Sequence, residues 1–230
     1  MRLSNIIDII LIVRRITVKT GIIFDLDGTL WDSAEQVVSS WNIVLKDHKS
    51  AYTMTEEILK GLMGKTIEEI AEVISEEVAP HNAIDLIKEC CSTEVHYLEK
   101  NGGLLYPGLE ETLTELMENY SLYIVSNCQE HYIESFLSHH KMGKYFSDFE
   151  NHGRTNLPKG ENIKLIIERN KLDRAVYVGD TQGDYEAANA AGIPFIHAKY
   201  GFGSIEEEVV SVDRISELPE LIEQVCIESY

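Results

Sequence analysis

A chain of 230 residues, 44% apolar and 26% charged, has the composition of a globular protein. It is long enough for one large α/β domain, or for a core of roughly 150 residues with a smaller insert. Its formal charge of −19 argues against nucleic acid and anionic membrane as partners, because no basic patch is dense enough to offset it. A small anion held locally by a metal ion, one or two lysines and helix-start N–H groups stays compatible with that charge.

The start of the chain carries an apolar run, Ile6 to Val13, interrupted by Asp8 and followed by Arg14-Arg15. It is too short to span a bilayer and has the wrong polarity for a secretory signal, so residues 1–20 read as an extension whose last part, Ile16-Thr17-Val18, leads into the first strand. Next comes Gly21-Ile22-Ile23-Phe24-Asp25-Leu26-Asp27-Gly28-Thr29-Leu30. The β-branched and aromatic run predicts a strand buried on both faces, ending in two carboxylates and a glycine. Asp27-Gly28 alone is an ordinary turn signal. Asp25 belongs to the strand itself, where a carboxylate must be paired, hydrated or metal-bound.

For about seventy residues the pattern is then helical, with no strand signal. Asp32 or Ser33 caps a helix through Val37, Val38, Trp41 and Leu45. Thr55 to Leu59 begins a second, Thr66-Ile67-Glu68-Glu69 is a capping box for a third that Pro80 breaks, and a fourth runs from Ala83 to Glu99 with Ile84, Ile87, Cys91, Val95 and Leu98 on one side. Four such helices predict a small bundle. Asn101-Gly102-Gly103 marks a hinge, after which helices and apolar strands alternate: helices at 109–120, 130–139, 161–170 and 185–191, and strands at 122–125, 145–149, 175–178 and 193–197. A last helix is expected from Leu218 to Cys226. The alternation predicts a doubly wound parallel sheet, a Rossmann-like α/β core of residues 1–31 and 104–230, with residues 32–103 inserted as a helical cap. The two connections would let the cap open and close over the carboxylates.

Two further strand ends carry candidate chemistry. Leu122-Tyr123-Ile124-Val125 ends in Ser126-Asn127, which is equally a turn or an N-cap pattern. Val176-Tyr177-Val178 ends in Gly179-Asp180, with Asp184 four residues on at a helix start. Asp184 alone would be an ordinary N-terminal helix acid, whereas Asp180, like Asp25, is hard to explain as structure. Lys159, in Leu157-Pro158-Lys159-Gly160, precedes a helix, a place the helix dipole disfavours for a cation.

These pieces resemble the haloacid dehalogenase superfamily. Asp25-Leu26-Asp27-Gly28-Thr29 matches the D-x-D-G-T motif of its phosphatases, Ser126 the second motif, Lys159 the third, and Gly179-Asp180 with Asp184 the G-D-x-x-x-D fourth. The order and spacing fit, and the helical insert lies where one subgroup has it. Gly160 departs from the pattern, in which Pro usually follows the lysine; Arg154 and Lys144 are alternative cations.

The resemblance implies that Asp25 is the nucleophile and Asp27 the general acid and base. Ser126, Asn127 and Lys159 would hold the phosphoryl group. Mg²⁺ would be bound by Asp25, the Asp27 carbonyl oxygen and Asp180, with Asp184 near or behind it; an all-oxygen set suits such a hard cation. The expected activity is hydrolysis of a small phosphorylated metabolite, as in phosphoglycolate phosphatases. Members that dehalogenate lack the second carboxylate. The sugar-phosphate mutase of this layout has a His in the place of Val37. A mutase, and a non-catalytic protein that only binds a phosphorylated metabolite, are the competing readings.

Specificity should reside in the insert. Lys65, in the loop Gly61 to Thr66, either reaches a substrate anion or is merely solvated; Trp31 either lines the cavity or fills the hinge. None of the eight histidines has zinc spacing. Cys90, Cys91, Cys128 and Cys226 lack C-x-x-C spacing and read as reduced thiols of a cytoplasmic protein, a monomer or homodimer.

Overall fold

A computed structural model describes residues 18–78 and 83–228 of the chain. The extension before Val18, Pro80 and the Cys226 side chain lie outside the described parts. In chain order the elements are β1 (Thr20–Phe24), β2 (Trp31–Asp32), α1 (Ala34–Asp47), α2 (Glu56–Lys60), α3 (Ile67–Val78), α4 (Ala83–Asn101), β3 (Leu104–Leu105), α5 (Leu109–Leu116), β4 (Ser121–Ser126), α6 (Tyr132–His139), β5 (Phe146–Asn151), α7 (His152–Thr155), α8 (Lys159–Asn170), β6 (Arg174–Gly179), α9 (Gln182–Ala191), β7 (Phe195–Ala198), β8 (Ser211–Val212) and α10 (Leu218–Glu228).

Six strands form one parallel sheet in the order β5-β4-β1-β6-β7-β8. By chain order of its strands this is 3-2-1-4-5-6, the doubly wound arrangement whose direction reverses at β1. Alternation along each strand separates two apolar layers. Ile22 and Phe24 of β1, with Leu122, Ile124, Val176 and Val178, face the layer shared with α5, α6 and α10. Ile23, Tyr123, Val125 and Tyr177 face α8 and α9. Every one of these side chains is buried, which is why the strands read as continuous apolar runs.

Helices α1 to α4 fall between β2 and β3, two-residue strands that pair antiparallel, Trp31 with Leu105 and Asp32 with Leu104. The two crossings into the insert are thus hydrogen-bonded to each other, a feature too short to show in the sequence. Gly103 is required here: a Cβ would stand 2.8 Å from the Asp32 carbonyl oxygen and 2.9 Å from the Trp31 ring. The insert is also seated on the rest of the chain through α4 and α6. Ser135 donates to the Val95 carbonyl at 3.1 Å, and a His139 ring nitrogen lies 3.0 Å from the Glu99 carbonyl.

Several boundaries differ from the expected ones. Helix α5 stops at Leu116 rather than residue 120, because Met117 to Asn119 form a turn before β4. Helix α8 starts at Lys159, two residues early, with Pro158 as its N-cap. On α4, Ile84 is exposed; Ile87, Cys90, Cys91, Glu94 and Leu98 are its buried stripe. Ser33 is the N-cap of α1 but makes no capping bond, since its hydroxyl is taken by Asp27; the Asp32 carboxylate accepts from Ala34 N–H instead.

Candidate active site

β1, β4 and β6 deliver Asp25, Ser126 and Asp180 to one edge of the sheet, on either side of the point where strand order reverses. Open α/β sheets bind ligands there. Asp25, Asp180 and Asp184 are buried, and one carboxylate oxygen of each lies within 4.8 Å of the others.

Packing rather than propensity holds these groups. Gly28 has φ +79°, and a Cβ on it would fall 2.2 Å from Asp180 Oδ2. Asp180 Oδ2 accepts from the backbone N–H of Phe202 at 2.7 Å and of Gly203 at 3.3 Å. Asp184 is the third residue of α9 and completes a capping box with Thr181. Its Oδ2 accepts from Asp180 N–H, Thr181 N–H and Thr181 Oγ1, at 3.1, 3.0 and 2.8 Å. Its Oδ1 accepts from Lys159 at 2.6 Å.

Lys159 is 5% exposed and also donates to Asp25 Oδ1, at 3.0 Å. Burial alone would lower its affinity for a proton, but Asp184 and Asp25 more than reverse this and keep it charged. The two carboxylates also explain how a cation tolerates the first turn of a helix. Gly160 after it is closely packed: a Cβ would lie 3.1 Å from both the Ala187 carbonyl oxygen and the Ala190 Cβ of α9, so α9 would have to give by a few tenths of an ångström. Arg154 pairs with Glu150 at 2.7 Å and Lys144 with Glu110 at 3.4 Å, so neither joins the acidic cluster.

The Asp27 carboxylate stands apart from that cluster. Its Oδ1 accepts from Trp31 Nε1 at 2.9 Å, Ser33 Oγ at 2.5 Å and Tyr132 OH at 2.8 Å. Three donors on one oxygen leave Oδ2 as the atom to carry a proton. Burial raises the Asp27 pKa, against the pull of Ser33, Tyr132 and Trp31. Burial, with Asp184 next, also pushes Asp25 up, and burial with Asp184 takes Asp180 to about 7. Three acids so close together fit a divalent cation, whose charge would favour their ionised forms.

A cavity of about 60 Å³ opens beside Asp25 and Asp27, between the strand ends and the insert. Ser126 and Asn127 line it. Asn127 Nδ2 donates to the Gly64 carbonyl at 2.8 Å, which ties the insert's loop to the sheet edge, while its Oδ1 is buried with no partner. Lys65 lies on the same wall and is exposed. Trp31 does not line the cavity: it is fully buried against Tyr132, Phe136 and His140, with its indole N–H donating to Asp27. Ser33, Tyr132, Trp41, Glu94 and Gln129 complete the site and were not candidates from the sequence. A glutamate inside the apolar stripe of α4 was the readable signal for Glu94; Tyr132 OH, 105 residues from Asp27, had none.

The family model for haloacid dehalogenase-like hydrolases matches residues 22–198. The plasmid-encoded phosphoglycolate phosphatase of Cupriavidus necator is 28% identical over 190 residues, covering 80% of this chain and 82% of that protein. The phosphoglycolate phosphatase of Aliivibrio fischeri is 26% identical over 192 residues, covering 79% and 84%. Among solved structures, a Bacteroides fragilis protein described as a haloacid dehalogenase-like hydrolase superposes with a TM-score of 0.74 at 26% identity, covering 87% of this chain and 99% of that one.

Proposed function

Because the chain belongs to the haloacid dehalogenase-like hydrolase family, we propose that it is a Mg²⁺-dependent phosphatase that hydrolyses a small phosphate monoester through an aspartyl-phosphate on Asp25. The observation that carries this reading is the buried cluster of Asp25, Asp180 and Asp184 at the sheet edge, with Lys159 between two of its members.

Asp25 attacks phosphorus, a bond forms from its carboxylate oxygen, and the bond from phosphorus to the ester oxygen breaks. Burial and Asp184 oppose the ionisation of Asp25, while Lys159 and the charge of a bound divalent cation would favour it, and as a carboxylate it needs no base to activate it. Asp27 gives its Oδ2 proton to the departing alkoxide, for which its raised pKa suits it. The same carboxylate then takes a proton from the water that attacks the acyl-phosphate, which releases phosphate and restores Asp25. Lys159, Ser126 and the Asn127 amide supply donors for the phosphoryl oxygens. Asp25, Asp180 and the Asp27 carbonyl oxygen would hold Mg²⁺, with Asp184 behind them since protein donors already occupy both its oxygens. The ion supplies charge that offsets repulsion between nucleophile and phosphoryl group.

Residues 32–103 act in this reading as a cap over the core, and the ester's organic part sits beneath it. Val37, on the cavity wall, has no proton to transfer, which weighs against a mutase. The acidic surface and unpaired Cys90, Cys91 and Cys128 support a cytoplasmic setting. The test is phosphate release from a panel of small organic phosphates, including 2-phosphoglycolate, with Mg²⁺. Turnover that survives Asp25→Asn or strong chelation would sink the proposal.

A further inference from the structure

Beyond the groups that handle phosphate, the cavity contains one feature that the phosphatase reading leaves unused. Glu94, on the buried stripe of α4, is 6% exposed and lines the same cavity as Asp25 and Asp27. Its Oε2 accepts from Trp41 Nε1 and its Oε1 from Gln129 Nε2 at 3.2 Å. Each oxygen keeps a lone pair, and Gln129 is pinned by a second bond, 3.3 Å to the Cys91 carbonyl. A carboxylate so placed costs stability unless its remaining acceptor capacity is used. That wall also carries the apolar side chains of Val37, Trp41, Leu59, Leu62 and Ile70.

Size limits what can enter. The cavity is small, about 60 Å³, and Asp25, Asp27 and Ser126 line it as well as Glu94, so the organic part that shares it with the phosphoryl group is short. Charge limits it further. Where Glu94 is ionised, a carboxylate on the organic part would face a like charge, and among the described residues of the wall the basic one is Lys65, which is exposed. A group that donates hydrogen bonds meets the opposite situation, because each Glu94 oxygen can accept a further bond beside the one from Trp41 or Gln129.

Resting on the phosphatase reading, we propose that Glu94, oriented by Gln129 and Trp41, selects the organic part of the substrate, and that the ester is the phosphate of a short-chain alcohol bearing a hydrogen-bond donor, hydroxyl or ammonium, rather than a carboxylate.

The test compares kcat/KM for glycerol 1-phosphate, propyl phosphate, phosphoethanolamine, 2-phosphoglycolate and p-nitrophenyl phosphate with Mg²⁺. The pH is held at about 8, above the value of about 7 to which burial pushes the Glu94 carboxyl. The wild type should prefer glycerol 1-phosphate or phosphoethanolamine to propyl phosphate by about tenfold or more, mostly through KM. Whichever of the two is preferred identifies the donor. Glu94→Gln should shrink that ratio about tenfold and improve 2-phosphoglycolate relative to the others. Equal turnover of propyl and glycerol phosphates, a ratio unaltered in the variant, or 2-phosphoglycolate as the best wild-type substrate overturns the proposal, and the wild-type panel decides this even if the variant does not fold. Release of phosphate from none of the esters, p-nitrophenyl phosphate included, defeats the phosphatase reading itself and this one with it.

Discussion

The Lys159 ammonium lies 3.0 Å from Oδ1 of Asp25, and the same nitrogen reaches Oδ1 of Asp184 at 2.6 Å. One buried cation therefore fixes the Asp25 carboxylate relative to the start of α9. Lys159→Gln keeps a donor and loses the charge. Its kcat/KM with Mg²⁺ should fall by about 10²-fold or more, the scale seen when one preorganised electrostatic donor is removed. Circular dichroism would establish that the variant is folded. Activity within a few-fold of wild type would remove Lys159 from the machinery.

Asp184 has its oxygens filled by Lys159, Thr181 and backbone N–H groups, whereas Asp180 and Asp25 keep free acceptor capacity. This difference predicts how thermal stability responds to metal. Mg²⁺ at about 100 times its Kd should stabilise the wild type by about 2.7 kcal/mol, read as a rise in Tm that EDTA reverses. Asp180→Asn should abolish most of the rise, and Asp184→Asn should lower Tm already without metal by unfastening the capping box and Lys159. A full Mg²⁺ response in Asp180→Asn would show that the ion binds elsewhere.

Much of this was readable from the chain because it lies in local patterns. Apolar runs that stop at Asp25, Ser126 and Asp180 specify buried parallel strands, and the order of such strands brings their ends to one edge. The capping box at Thr66 and Glu69 forms as its spacing suggests, with bonds of 2.7 and 3.3 Å. What escaped the sequence is long-range. Ser33 sits where a cap is expected, yet Asp27 claims its hydroxyl, and only the path of α6 could place Tyr132 beside both. Trp31 next to the motif left two places open, the substrate wall or the hinge, and the ribbon of β2 and β3 turns its ring inward.

Tyr132 should act on Asp27 without touching substrate. Its hydroxyl donates to Asp27 Oδ1 at 2.8 Å and so favours the ionised carboxylate. Tyr132→Phe removes that donor, leaving Ser33 and Trp31, and the Asp27 pKa should rise further. Activity that needs protonated Asp27 is lost as pH rises, so the alkaline limb of the kcat profile should move to higher pH. A slower leaving-group step at neutral pH, from looser positioning, should accompany this, with little change in KM. An unmoved limb, measured across the pH range with p-nitrophenyl phosphate and a poorer alkyl leaving group, would count against Tyr132 as a positioning residue.

Glu94 should also leave a signature in stability that needs no substrate. Burial raises its pKa from an ordinary value of 4.5 to about 7, opposed by the donors Trp41 and Gln129, with the Asp27 charge adding to the rise. Between those values the folded chain holds a proton that the unfolded chain releases. Stability from this group is therefore complete below about pH 4.5 and is lost as pH climbs through about 7, after which the curve is level. Glu94→Gln cannot ionise and should lack this slope. Other buried acids, Asp180 among them, titrate in both proteins and largely cancel in the difference. The variant's Tm minus that of the wild type should thus grow from about pH 4.5 to about pH 7 and then stay constant, followed by calorimetry without metal. A difference that is flat across that window would mean Glu94 ionises as an exposed carboxylate does, and that the wall it forms is open to water.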